Sequence, residues 1–115
     1  MPKKGIILVM SCQEERFIVE EEVIRETWAK PLMNNELENI SIIFYRGGEY
    51  ESYDDDKKVL TVKCGDKLTD TYSKTIEVFH YLVNNNIEYD YVFRTNTSTY
   101  VNLDAIKQFL EFEDI

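Results

Sequence analysis

Residues 5–10, Gly-Ile-Ile-Leu-Val-Met, run apolar without alternation. Successive side chains of a strand point to opposite faces, so a strand with one face in water alternates apolar and polar residues. A run with no alternation suits a strand buried on both faces, the place of an inner strand in a parallel sheet covered by helices. That segment sets the expectation for the rest of the chain: flanking strands, and amphipathic helices over both faces.

The polar stretch Ser11 to Glu15 reads as an N-cap and acidic first turn. Phe17, Ile18, Val23, Ile24, Trp28 and Leu32 follow at roughly helical spacing, and Pro31 with Asn34 and Asn35 ends the pattern. Ile40 to Tyr45 predicts a second strand, closed by Arg46, Gly47 and Gly48 as a breaker. Glu49 to Lys58 is acidic and aperiodic, hence a loop, and Val59 to Cys64 is a short strand ended by Gly65. From Asp70, the spacing of Tyr72, Ile76, Phe79, Leu82 and Val83 predicts a helix that stops at Asn84 to Asn86. Tyr89 to Thr95 reads as another strand, and Asn102 caps a last helix with Leu103, Ile106, Phe109 and Leu110 on one face, running to the chain end. The order β, α, β, β, α, β, α over residues 1–115 implies one α/β domain, Rossmann-like, its mainly parallel sheet wrapped by helices on both faces.

Charge and motif content narrow the function. Lys and Arg number 13 against 22 Asp and Glu, a formal charge of -9, which repels nucleic acid and anionic membrane surfaces. No stretch approaches the roughly 18 apolar residues of a membrane span, and the start of the chain turns acidic too soon for a signal peptide, so the expected location is cytoplasmic. Cys12 and Cys64 are far apart with no Cys/His cluster, and both read as buried reduced thiols. The G-x-G-x-x-G, G-x-x-x-x-G-K-[ST], H-E-x-x-H and G-x-S-x-G signatures are missing. His80, inside a helix, reads as structural, and Asp54, Asp55 and Asp56, followed by two lysines, read as a solvated charge run.

Ligands of open α/β sheets sit at the carboxyl ends of the strands. Three polar clusters fall there: Ser11 to Arg16 after the first strand, Gly65 to Asp70 after the third and Arg94 to Thr99 after the fourth.

Four segments carry a resemblance. Ile24-Arg25-Glu26-Thr27-Trp28, Phe44-Tyr45-Arg46-Gly47, Asp70-Thr71-Tyr72 with Lys74-Thr75, and Val92 to Leu103 occur in the order found in β-1,3-galactosyltransferase-like and Fringe-like glycosyltransferases. Over about residues 6–110 the chain resembles the nucleotide-sugar-binding half of these GT-A enzymes. The resemblance implies a nucleotide sugar as donor, a uridine diphosphate sugar first among them, a glycan acceptor, and a place in making surface glycans such as capsule or lipopolysaccharide. The residue that activates the acceptor belongs to a second half that this family also requires.

In that family the fourth strand ends in Lys-Thr-Asp-Asp-Asp-x-Phe-Val-Asn, whose acidic residues hold the ribose and Mn²⁺. Here Arg94 and Thr95 match the first two positions and Tyr100, Val101 and Asn102 the last, whereas Asn96, Thr97 and Ser98 replace the acids. Neutral amide and hydroxyl oxygens can hydrogen-bond a ribose or phosphate but are poor ligands for a hard divalent ion, so no metal cofactor is expected. The donor site so implied comprises Ser11, Arg16, Asp70, Arg94, Asn96 and Ser98, with Arg94 and Arg16 meeting the diphosphate. Arg16 is invoked because the family's arginine on the first helix corresponds to Glu21.

Bland roles stand beside these. Trp28 and Tyr72 suit core packing, Arg25 an ion pair with Glu21 or Glu22, and Asp70 a helix N-cap. The rival function is a non-catalytic glycan- or protein-binding module that keeps the GT-A scaffold, and a third reading is an unrelated small doubly wound domain.

Overall fold

A computed structural model describes residues 3–113. Its elements are β1 (Gly5–Met10), α1 (Glu15–Glu26), α2 (Lys30–Met33), β2 (Ile40–Gly48), β3 (Ser52–Asp54), β4 (Val59–Lys63), a short 3-10 turn (Leu68–Asp70), α3 (Thr71–Asn84), β5 (Tyr91–Asn96) and α4 (Leu103–Glu113). They form an α/β fold on one five-stranded sheet of order β3-β4-β2-β1-β5. β1 pairs in parallel with β2 on one side and β5 on the other, as its sequence requires, and β4 continues the parallel array beyond β2.

The unalternating run of β1 now has its cause. Ile7 and Val9 enter a core with Ile42, Phe44, Ile24, Trp28, Leu32 and Leu110, the layer of α1, α2 and α4. Ile6 and Leu8 enter a second core with Ile43, Tyr45, Leu60, Val62, Val78 and Leu82, the layer of α3. Each side of the strand has its own helical cover, so neither side is polar. β5 is an edge strand: Phe109 of α4 packs edge-on against Tyr91 and Phe93, with centroids 5.1 and 5.9 Å apart, while Arg94 and Asn96 stay exposed.

Several expectations need correction. The first helix is broken: Thr27 leaves helical geometry, its hydroxyl bonds back to the Val23 carbonyl at 2.7 Å, and Pro31 lies in the first turn of α2 instead of ending a single helix. A missing N–H costs nothing in a first turn, where no partner exists for it. Ser11 does not cap α1; Glu14 occupies the N-cap position without a side-chain cap bond. Arg46, Gly47 and Gly48 are not a breaker but the last residues of β2, paired with Thr61, Val62 and Lys63. A Cβ on Gly47 would come within 2.3 Å of the Gly65 carbonyl oxygen, so the glycine serves close backbone approach.

The acidic segment before β4 is not all loop. Ser52–Asp54 forms a short antiparallel edge strand on β4, and the Asp54 carboxylate accepts from the Asp56 and Lys57 amides at 3.0 and 3.1 Å in the connecting turn. Asp55 and Asp56 remain exposed.

The largest correction concerns α3. Its buried residues are Lys74, Val78 and Leu82, whereas Tyr72 and Val83 are 79% and 70% exposed, so Tyr72 is not a core residue. The helix is rotated to carry the Lys74 ammonium inward to partners described below. His80 is a surface residue beside Glu77 at 3.4 Å. No helix among the described residues is long and apolar enough to cross a membrane.

Candidate functional site

β1, β2, β4 and β5 run parallel, so their carboxyl ends and the segments that follow share one edge of the sheet. A cavity of about 180 Å³ opens there. Its walls come from all three polar clusters: Ser11, Cys12, Glu14 and Arg16 from the first, Asp66 and Lys67 from the second, Asn96 from the third. Met10, Phe17, Leu68, Thr71 and Lys74 complete it.

The floor is an ion pair whose cation is buried and whose carboxylate is partly exposed. Lys74, 3% exposed, sends its ammonium to Asp66 Oδ1 and to the Ser11 carbonyl, each at 2.9 Å. Asp66 Oδ1 also accepts from the Gly47 amide at 2.7 Å, and Asp66 Oδ2 from the Gln13 amide. One carboxylate thereby ties together the ends of β1 and β2 and the segment after β4, and Lys74 pins α3 to the same point. A buried ammonium is tolerable only with such partners. Asp70 stands just behind, accepting from the Lys67 amide at 3.0 Å, and a Cβ on Gly65 would clash with its carboxylate at 2.3 Å.

A second polar cluster lies on the α1 side. Glu21, 0% exposed, accepts from Arg46 through Nη2 at 2.6 Å and Nε at 2.9 Å, from Arg25 at 3.0 Å and from the Ser11 hydroxyl. The bond to Glu21 raises the Arg46 pKa, burial opposing it, so the guanidinium keeps its charge. Arg25 pairs with Glu22 as well, at 2.7 Å, reaches the Lys57 carbonyl at 3.0 Å and stacks over Phe44 at 4.6 Å. The ion-pair reading of Arg25 holds, with both glutamates.

At the end of β5 the side chains hold one another. Asn96 Oδ1 accepts from the Ser98 amide at 3.0 Å and from the Ser98 and Thr99 hydroxyls at 2.9 Å each. The Thr97 hydroxyl, 7% exposed as a residue, donates to Glu20 of α1 at 2.6 Å. The turn is thus latched to the first helix.

Of the six residues expected at the site, Ser11, Arg16 and Asn96 line the cavity. The Ser11 hydroxyl is committed to Glu21, and Arg16 is exposed with its guanidinium 4.6 Å from the Phe17 ring centroid. Asp70, Arg94 and Ser98 are outside the lining. Arg94 is paired with Leu8 on β1, two residues below Asn96 and hence on the same face of β5. Burial raises the Tyr45 pKa, and the Thr75 hydrogen bond at 3.1 Å and then the Arg94 charge oppose that rise only in part.

Sequence reasoning did not single out Lys74, Arg46 or Glu20 for the site, held Asp66 and Lys67 only as members of the cluster after the third strand, and held Glu21 only as a partner of Arg25. One signal was available: Lys74 precedes Val78 and Leu82 at i+4 and i+8, a lone charge on an apolar helical row. Cys12 in the cavity wall is buried and Cys64 is half-buried, not buried; both are free thiols, and burial raises both pKa values, so at neutral pH they are protonated and weakly nucleophilic.

No family model matches the chain, and neither a curated protein nor a solved structure matches it.

Proposed function

We propose that the domain binds a nucleotide sugar, most simply a uridine diphosphate sugar, as the donor half of a GT-A-type glycosyltransferase. The observation that carries this reading is the convergence of all three strand-end clusters on one cavity, with Arg16, Lys67 and the Asn96 side chain in its wall. The motif order set out above and a sheet compatible with a Rossmann-like fold add to it.

In transfer, an acceptor hydroxyl attacks the anomeric carbon and the nucleoside diphosphate departs with the bonding electrons. The departing charge needs fixed donors. Arg16 and Lys67 supply charge from the first turn of α1 and the segment before α3, and the Asn96 amide nitrogen can donate to a ribose or phosphate oxygen. Arg94, on the same face of β5, adds positive potential beside them. Below, the Lys74 and Asp66 pair keeps the cavity walls in register.

A second reading, a binding module without transfer, is favoured by the turn after β5, whose hydroxyls bond to Asn96 and Glu20. The test is a thermal-shift titration with uridine, guanosine, cytidine and adenosine diphosphates and their sugars. A ligand at 100 times its dissociation constant stabilises by about 2.7 kcal/mol. A shift with one nucleotide class supports the donor site, and release of its diphosphate on adding glycan acceptors supports transfer. Absence of any shift at millimolar concentration removes the donor site and transfer, and leaves the glycan- or protein-binding module.

A further inference from the structure

The Mn²⁺ that the resemblance implies can be tested against the oxygens present. A hard divalent ion takes about six oxygen ligands, carboxylates foremost. At the end of β5 the one carbonyl that could serve, Asn96 Oδ1, already accepts from the Ser98 amide and from the Ser98 and Thr99 hydroxyls. A carbonyl has two lone pairs, so this oxygen has none to spare. The Thr97 hydroxyl is turned to Glu20 at 2.6 Å. In the cavity itself, Asp66 has Oδ1 occupied by the Gly47 amide and Lys74, and Oδ2 by the Gln13 amide. Glu14 is the other carboxylate of the wall. Among the described residues no three His, Cys, Asp or Glu side chains are grouped as a metal site. The residues present do not fit the metal.

They do fit an anion. Lys74 is neutralised by Asp66, while Arg16 and Lys67 reach the cavity from either side, both are exposed, neither has an ion-pair partner among the described residues, and together they outweigh the one remaining carboxylate of the wall, Glu14. Building on the nucleotide-sugar reading, we infer that this cavity takes its diphosphate without a divalent cation, Arg16 and Lys67 providing the countercharge. Charge-assisted hydrogen bonds from these side chains are about twice as strong as neutral ones, which suits them to the task.

Calorimetry on the full chain decides it, with inorganic pyrophosphate and uridine diphosphate as probes, each in EDTA and each with added MnCl₂. The expected result is binding in EDTA that Mn²⁺ changes by less than about threefold, weakened about tenfold in Arg16→Gln and in Lys67→Gln. Lys30→Gln, on α2 outside the cavity, should bind as the parent does. Pyrophosphate bound in EDTA, with uridine diphosphate no tighter, would keep the anion site and remove the nucleotide reading. Uridine diphosphate bound only with Mn²⁺ would overturn the inference and leave the nucleotide reading standing. No heat from any probe would overturn both.

Discussion

Arg46 on β2 holds Glu21 on α1 through two hydrogen bonds, Nη2 to Oε1 at 2.6 Å and Nε to Oε2 at 2.9 Å. Glu21 is fully buried, so both of its oxygens depend on protein donors: Arg46, Arg25 and Ser11 supply them. The pair fastens the first helix to the end of the second strand beside the candidate site. Removing one partner of a buried pair strands the other, and that loss outweighs the net worth of the intact pair.

Glu21→Gln should therefore destabilise the protein by about 3 kcal/mol or more, because Arg25 and Arg46 lose their shared countercharge. Glu22→Gln, which breaks only the half-exposed branch of the Arg25 contacts, should cost less than about 1 kcal/mol. Urea denaturation midpoints measure both, and equal midpoints would contradict the central role given to Glu21.

Lys74→Met keeps the apolar stem but removes the ammonium from Asp66 and the Ser11 carbonyl. A stability loss of about 2 to 4 kcal/mol is expected, the cost of leaving buried acceptors without their donor. The contrasting change Lys67→Met, at an exposed position, should leave the unfolding free energy within about 0.5 kcal/mol of the parent.

At Gly47, a methyl group would strike main-chain oxygen at 2.3 Å, whereas at Gly65 it would strike the end of the Asp70 side chain at the same distance. A side chain can rotate away and backbone cannot. Gly47→Ala should thus destabilise by about 1 to 3 kcal/mol, and Gly65→Ala by less, while exposing the Lys67 amide to faster hydrogen exchange. Reversal of that order in thermal melts would show that the approach of β2 to Gly65 is not tight.

Tyr45 supplies an alkaline signature. Its pKa is raised above 10.0, chiefly by burial, so on raising the pH past 10.0 the unfolded chain releases this proton before the native state does. The unfolded state then binds fewer protons, and stability falls with rising pH from that point up to the native pKa. Between about pH 8 and about pH 10.5 the decline in unfolding free energy should be smaller in Tyr45→Phe than in the parent. Cys12, Cys64, Tyr53 and Tyr81, also raised by burial, leave a residual slope.

Asn96→Ala removes the acceptor of the Ser98 amide and of the Ser98 and Thr99 hydroxyls. Because the turn is exposed, global stability should change by less than about 1 kcal/mol, while the Ser98 amide exchanges faster by an order of magnitude or more. Thr97→Val should loosen the same turn through loss of its bond to Glu20. Unchanged exchange at Ser98 in Asn96→Ala would mean the turn is held by other contacts.

What the sequence determined by itself is local periodicity and its consequences. An unalternating Gly5–Met10 demanded two apolar layers, and Ile6 with Leu8 and Ile7 with Val9 do divide between two cores. The clusters after the strands followed from strand direction alone, and all three meet in the cavity. Asn102 reads as a cap from its neighbours, and its Oδ1 accepts from the Ala105 amide at 3.1 Å. Each of these depends on residues close in the chain or on the general geometry of parallel sheets.

Tertiary structure alone decided which charges meet. Lys74 finds the Ser11 carbonyl 63 residues away, and Arg46 finds Glu21 25 residues away; local spacing marks Lys74 as lying on an apolar row but names neither partner. Hydrophobic periodicity placed α3 with Tyr72 inward, whereas the face turned to the sheet carries Lys74, Val78 and Leu82 and leaves Tyr72 79% exposed. Val78 and Leu82, 0% and 1% exposed, lie on the same row of the helix as Lys74, so core packing and the ion pair are satisfied by one rotation. The three-residue β3 escaped notice for a related reason: an exposed edge strand has no buried face to imprint on its sequence, and only its pairing with β4 makes it a strand.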